Sequence, residues 1–233
     1  MLELEGLEVF YGKAQILQGL SLSVGPGEVV ALLGRNGAGK TTTLKATMQM
    51  LPVAGGQVRF RGEDITGSDP YRVARAGLGY VPEDRRIFTQ LTVRENLETG
   101  RQAAREGVPR WDEAALFELF PNLAERAEAR GKALSGGEQQ MLSIARTLMG
   151  NPACLLLDEP SEGIAPVIVT EMARAILRLK REGLSVLLSE QALPFARAVA
   201  DRVAVIDHGR VVFEGDFSAL DAAPEIAKRH LAV

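Results

Sequence analysis

Residues 34–42, Gly-Arg-Asn-Gly-Ala-Gly-Lys-Thr-Thr, constrain the fold of this chain more than any other stretch. The spacing is G-x-x-x-x-G-K-[ST]. An apolar run, Val29 to Leu33, precedes it, and a helical pattern from Lys40 to Met50 follows, stopped by Pro52. A strand that turns through glycines into a helix aims successive backbone N–H groups at an anion, and the helix N-terminus adds partial positive charge. Gly34, Arg35, Asn36, Gly37, Ala38 and Gly39 therefore read as a phosphate cradle with Thr42 at its end. Lys40 would reach the outer phosphates, and Thr41 would ligate Mg²⁺. The bare pattern also occurs by chance in functionless turns; the flanking strand and helix set this one apart.

The rest of the chain fits one domain. Its 233 residues suffice for one sizeable core with room for an insertion. A net charge of −3 gives no electrostatic case for nucleic-acid binding. The single cysteine, Cys154, excludes an internal disulfide and suits a reducing, cytosolic setting. Apolar runs of five residues fall far short of the roughly 20 that a membrane span needs, and Met1 opens no basic-then-apolar leader. Strands are expected at 2–11, 17–24 and 28–33, then at 57–60 and 79–81. From Leu91 to Gly150 the pattern turns helical, opened by the capping box Thr92–Glu95 with a helix reaching about Arg105. Strands and helices then alternate from 153 to 207, which implies parallel strands with crossover helices, and a last hairpin strand lies at 210–214. The expected fold is a parallel α/β core built on the phosphate loop. To it are added an antiparallel β lobe (about 1–33 and 55–65) and an inserted helical subdomain (about 84–150).

Two further motifs carry chemistry. Cys-Leu-Leu-Leu-Asp-Glu-Pro, 154–160, is a buried strand ending in Asp158, placed for a Mg²⁺ shell, with Glu159 at the mouth to activate water. Leu-Ser-Gly-Gly-Glu-Gln-Gln, 134–140, has capping-box spacing from Ser135 to Glu138. Gly136 and Gly137 in its first turn each cost about 1 kcal/mol against alanine, and they leave N–H groups bare for an anion. Helix formation alone gives no reason for that pair.

With these three motifs the chain resembles, over essentially its whole length, the ATP-binding subunits of ABC transporters. The absence of an Asn-Lys-x-Asp guanine reader disfavours a GTPase. The resemblance implies ATP and Mg²⁺ as cofactors and a head-to-tail pair of subunits. Ser135, Gly136 and Gly137 would then close on the nucleotide held by the partner, and Tyr11 would stack on adenine. Departures from the family pattern are informative. Glu83, in Val-Pro-Glu-Asp-Arg-Arg-Ile-Phe, stands where the family has a glutamine, and Ala165 where it has aspartate. Gln191, in Leu-Ser-Glu-Gln, occupies the position of a histidine near the γ-phosphate. Neither His208 nor His230 can sit at that strand tip. An amide can donate to phosphate but cannot carry a proton charge near neutral pH; Gln191 is expected to contact the γ-phosphate as a neutral positioning group.

Together these loops resemble the branched-chain amino acid transport ATPases of the LivF type. That resemblance implies a second, different ATP-binding subunit, two membrane permeases and an external substrate-binding protein, with no nucleic acid. The chain would lie peripherally on the cytoplasmic face of the plasma membrane, with the helical insertion touching the permease. An amide or urea importer, and an ATP-binding subunit with impaired hydrolysis, are the alternatives. Intact Lys40, Asp158 and Glu159 argue against the latter. A soluble ABC ATPase of DNA repair or translation would need a coiled coil or a second cassette.

Overall fold

The computed structural model describes residues 1–231. The chain begins with β1 (Leu2–Tyr11), β2 (Ala14–Val24), β3 (Val29–Leu33) and α1 (Lys40–Thr47), then β4 (Gly55–Phe60), β5 (Glu63–Asp64), α2 (Pro70–Ala76) and β6 (Leu78–Val81). Four helices follow: α3 (Val93–Gly100), α4 (Glu113–Leu119), α5 (Pro121–Glu125) and α6 (Gly136–Leu148). The last part alternates β7 (Cys154–Asp158), α7 (Pro166–Arg181), β8 (Ser185–Glu190), α8 (Leu193–Val199), β9 (Arg202–Asp207) and β10 (Arg210–Gly215), and ends with α9 (Phe217–Asp221) and α10 (Pro224–His230).

Two sheets result, in the orders β2-β1-β4-β5 and β10-β9-β3-β8-β7-β6. The first is antiparallel. In the second, β9, β3, β8, β7 and β6 run parallel and only β10 is antiparallel. This corrects one expectation. β3 belongs not to the antiparallel lobe but to the parallel sheet, between β8 and β9. The reason is visible in its composition: all five residues are buried, and a strand covered on both faces reads as an unbroken apolar run. Val29, Ala31 and Leu33 join a core built with α6, α7 and α8, whereas Val30 and Leu32 pack with α1 and the antiparallel sheet.

The helices also differ from expectation at their ends. α1 stops at Thr47, and Gln49 turns left-handed at φ 57°. α3 ends at Gly100 rather than near Arg105. The Arg105 guanidinium instead donates to the carbonyls of Asn151 (2.6 Å) and Arg75 (2.9 Å), tying the following loop to the core. α2 was not expected; it starts at Pro70, and Val73 is its only buried residue, so no apolar stripe announces it. The segment 84–150 is helical, but Leu116, Phe120, Leu123 and Met141 share one apolar cluster with the sheet. The insertion has no separate core. Among the described residues, no helix is long and apolar enough to cross a membrane.

Candidate nucleotide site

The parallel strands end on one edge, and the site is assembled there. Between β3 and α1 the chain turns at Gly39, the residue before the helix, with φ 115°, a conformation that side chains other than hydrogen resist. Lys40 follows, only 3% exposed. Its Nζ donates to the carbonyls of Gly34 (2.8 Å) and Arg35 (3.1 Å) and pairs with Glu159 Oε1 at 3.1 Å. All three ammonium protons thus have acceptors, the condition for keeping a charge buried.

β7 delivers the two carboxylates. Register sets Asp158 opposite Ser189 of β8. Asp158 Oδ1 accepts from Thr41 Oγ1 (2.9 Å) and Ser189 Oγ (2.7 Å), and Oδ2 accepts from the Tyr80 hydroxyl (3.0 Å). Burial first, then the charge of Asp158, pushes the Tyr80 phenol well up, so it stays a neutral donor. Glu159 breaks out of the strand with φ 44°, left-handed for a non-glycine residue. Its N–H is held by Ser189, to O and to Oγ, both at 3.1 Å.

Gln191 has a partner within the protein. Its Nε2 donates to Glu159 Oε2 at 2.6 Å. The amide therefore grips the carboxylate at the mouth of the site. Burial alone would raise the Glu159 carboxyl. Hydrogen bonds with Glu162, Gln191 and Lys40 outweigh burial and hold it below the ordinary carboxylate range. Glu162 moves the other way: its hydrogen bond to Glu159, then burial and the charges of Glu159, Glu83 and Glu190, push it up to about 7.

A cavity of about 260 Å³ opens over these groups, lined by Tyr11, Ile16, Asn36, Gly37, Gly39, Lys40, Thr41, Thr42, Glu83 and Glu159. Tyr11, at the end of β1, is 48% exposed and free to face a flat ring. Arg35 and Ala38 line a different recess, beside Asp207 and His208. Ser135, Gly136 and Gly137 lie outside both.

Ser135 caps α6, with its N–H on Glu138 Oε2 at 2.7 Å and its Oγ accepting the Glu138 N–H at 3.3 Å. One of the paired glycines, Gly137, does have a structural reason, contrary to expectation. A Cβ at Gly137 would lie 2.7 Å from Cγ2 of Ile168, and one at Gly136 2.9 Å from an Arg85 nitrogen. The arginine tip can swing away, but the β-branched Ile168 cannot.

Sequence reasoning missed three residues here: Tyr80, Ser189 and Glu162. Ser189 meets Asp158 only through the register of β7 with β8, which neither strand's sequence shows alone. The contacts of Tyr80 and Glu162 carried no local signal.

A phosphate loop at the edge of a parallel sheet, a carboxylate pair two strands away and a serine-capped glycine pair on a separate helix define an ATP-binding cassette. Residues 17–162 match the family model described as ABC transporter, and the chain belongs to that family. It is an ATP-hydrolysing enzyme. It is 41% identical over 231 residues to the high-affinity branched-chain amino acid transport ATP-binding protein BraG of Pseudomonas aeruginosa, covering 99% of each chain. It is 34% identical over 217 residues to the lipopolysaccharide export system ATP-binding protein LptB of Haemophilus influenzae, covering 92% of this chain and 90% of that protein. Among solved structures it resembles a nucleotide-free ATP-binding cassette from an ABC transporter (TM-score 0.84, 26% identity, 98% and 97% of the two chains). It also resembles the ADP conformation of another such cassette (TM-score 0.83, 26% identity, 98% and 97%).

Proposed function

We propose that this chain energises the import of branched-chain amino acids. The observation that carries the reading is the 41% identity with BraG over 99% of each chain. The loops Val-Pro-Glu-Asp-Arg-Arg-Ile-Phe, Ser-Glu-Gly-Ile-Ala-Pro and Leu-Ser-Glu-Gln support it. A second reading, an export ATPase, is favoured by the 34% identity with LptB. In the leading reading the chain pairs with a second ATP-binding subunit and docks on two permeases at the cytoplasmic membrane face, which receive solute from an external binding protein.

Within the site, Tyr11 stacks on adenine, and residues 34–42 with Lys40 hold the phosphates. The Lys40 ammonium, now shared among Gly34, Arg35 and Glu159, is the charge that phosphate oxygens recruit. Mg²⁺ fits the donor set. Thr41 Oγ1 and Asp158 Oδ1 lie 2.9 Å apart, and Glu83 lines the same cavity; all are hard oxygen donors. Phosphate and water oxygens would complete the shell, the usual arrangement for Mg²⁺. When bound, the ion neutralises charge on the phosphates. Glu159, held ionised, takes the proton of the attacking water. Ser135, Gly136 and Gly137, outside this chain's own cavity, serve the nucleotide of the partner.

Purifying the chain from membranes with its partners tests the assembly. Branched-chain amino acids should stimulate ATP turnover of the reconstituted complex. Stimulation by lipopolysaccharide instead would favour the export reading. Glu159→Gln should keep ATP affinity and abolish turnover, since an amide keeps the shape but cannot take a proton; a variant that turns over normally would place the base elsewhere.

A further inference from the structure

The carboxylate of Glu190 has no part in the chemistry described above, yet it is among the most thoroughly bonded groups at this edge. It closes β8 and is 2% exposed. Burial pushes its pKa up, and hydrogen bonds from Ser161, Ala192 and Gln191 partly offset that rise. Oε1 accepts the Ser161 N–H at 3.0 Å. Oε2 accepts the N–H groups of Gln191 (3.1 Å) and Ala192 (3.2 Å). A buried acceptor with three backbone donors is satisfied on both oxygens and fixes whatever supplies the donors.

The donors come from two loops. Ser161 lies two residues beyond Glu159 on the way to α7, and Gln191 and Ala192 form the turn into α8. Strand alternation explains the arrangement. Ser189 faces Asp158, as its hydrogen bond shows, so Glu190 projects from the opposite face, the one that carries Val186 and Leu188 into the core with α7 and α8. Gln191, next in line, reaches back to Glu159. The clamp therefore spans the two loops whose side chains meet at the 2.6 Å Gln191–Glu159 contact. One of those loops includes Glu159 in a left-handed conformation that a non-glycine residue keeps only when its surroundings enforce it.

We infer that Glu190 is a positioning residue for ATP hydrolysis: by clamping the Ser161 and Gln191–Ala192 backbones together, it keeps the Gln191 amide on Glu159 and Glu159 aimed at the water. The inference rests on the reading of Glu159 as the base. It requires no contact between Glu190 and nucleotide, so binding and turnover should separate.

The test uses the full chain co-purified with its membrane partners, with kcat for ATP and equilibrium affinity for ATP measured separately. Glu190→Gln keeps the size of the side chain but turns one acceptor oxygen into a donor facing N–H groups. The expected result is a fall in kcat on the order of 10- to 100-fold, the scale of a small misplacement of a reacting group, with ATP affinity unchanged. Combined with Gln191→Ala, the losses should be less than additive, because both act on one carboxylate. Unchanged kcat, or a loss of ATP affinity matching the loss of kcat, overturns the proposal. Should Glu190→Gln fail to fold, Ala192→Pro removes one donor at a residue whose φ of −77° already suits proline. A several-fold drop in kcat at constant affinity is then expected, and an unchanged kcat overturns the proposal. Glu159→Gln, assayed in parallel, separates the two levels. If it retains turnover, the assignment of the base fails. If it loses turnover while Glu190→Gln does not, only the clamp fails.

Discussion

Gln191→Ala asks whether the amide works on the nucleotide or on the protein. In the structure it donates to Glu159 Oε2 at 2.6 Å, a hydrogen bond to a charged acceptor. Such bonds contribute about 1.5–3 kcal/mol. Gln191 is only half-buried, so water can replace part of what is lost, and the lower end applies. About 1.5 kcal/mol lost from the hydrolytic transition state corresponds to roughly a tenfold fall in kcat. Glu159 keeps its Lys40 partner at Oε1 and its backbone bonds to Ser189, so the loss should not approach that of removing the carboxylate. The assay is ATP turnover in the assembled transporter with the partner's own site disabled, alongside ADP and ATP affinities. Repeating the substitution in a Glu159→Gln background separates the two routes. An amide acting through Glu159 has no further effect there, whereas one that contacts the γ-phosphate still lowers the residual rate and the affinity for ATP over ADP. Turnover unchanged by Gln191→Ala in the native background would refute the reasoning, since it would mean that a close hydrogen bond to the proposed base is immaterial to its chemistry.

Two further outcomes follow from local geometry. Gly137→Ala sets a Cβ 2.7 Å from the Ile168 side chain; overpacking of this kind costs about 1–3 kcal/mol. Thermal unfolding of the isolated chain should register the loss without nucleotide, whereas Gly136→Ala, which meets only the end of Arg85, should shift the melting temperature little. For Glu162 the sign is opposite to that of an ordinary ion-paired acid: its carboxyl rises from 4.5 to about 7 in the fold. Its contribution to stability is therefore full below about 4.5 and lost as pH climbs through 7. Glu162→Gln should melt with the parent at the acid end and progressively above it across that window. A constant difference at every pH would show that Glu162 does not hold a proton against Glu159.

Much of the site was legible because its elements are local. The phosphate loop, the Asp158–Glu159 tip and the Ser135 cap each reside in one short segment whose spacing dictates its geometry. The misplacement of β3 shows what local reading cannot supply. Its five apolar residues already carried the mark of a strand covered on both faces, but the neighbouring hairpin strands suggested the wrong sheet. α2 escaped because one buried valine makes no period. The Gln191–Glu159 and Glu190–Ser161 contacts were illegible for a deeper reason. They depend on the pairing register of β7 with β8, about which neither strand's sequence speaks alone.

That register also explains what a glutamine achieves at this strand end. The chain has two histidines, and both are committed elsewhere: His208 and His230 place Nδ1 on the two oxygens of Asp207, at 2.9 and 3.0 Å. Burial alone would raise the Asp207 carboxyl; His208 and His230 outweigh it and hold it low. No imidazole therefore stands beside Glu159, the proposed base. The amide of Gln191 donates at every physiological pH, so the grip on Glu159 does not loosen between pH 6 and 8 as a histidine near its ordinary pKa of about 6.5 would allow. The group there that titrates near neutrality is Glu162, at about 7. It acts in the opposite sense: losing its proton as pH rises removes a donor from Glu159 and adds a like charge beside it. Glu190 fixes the backbone, Gln191 supplies an uncharged donor, and pH sensitivity passes to a third residue on the neighbouring loop.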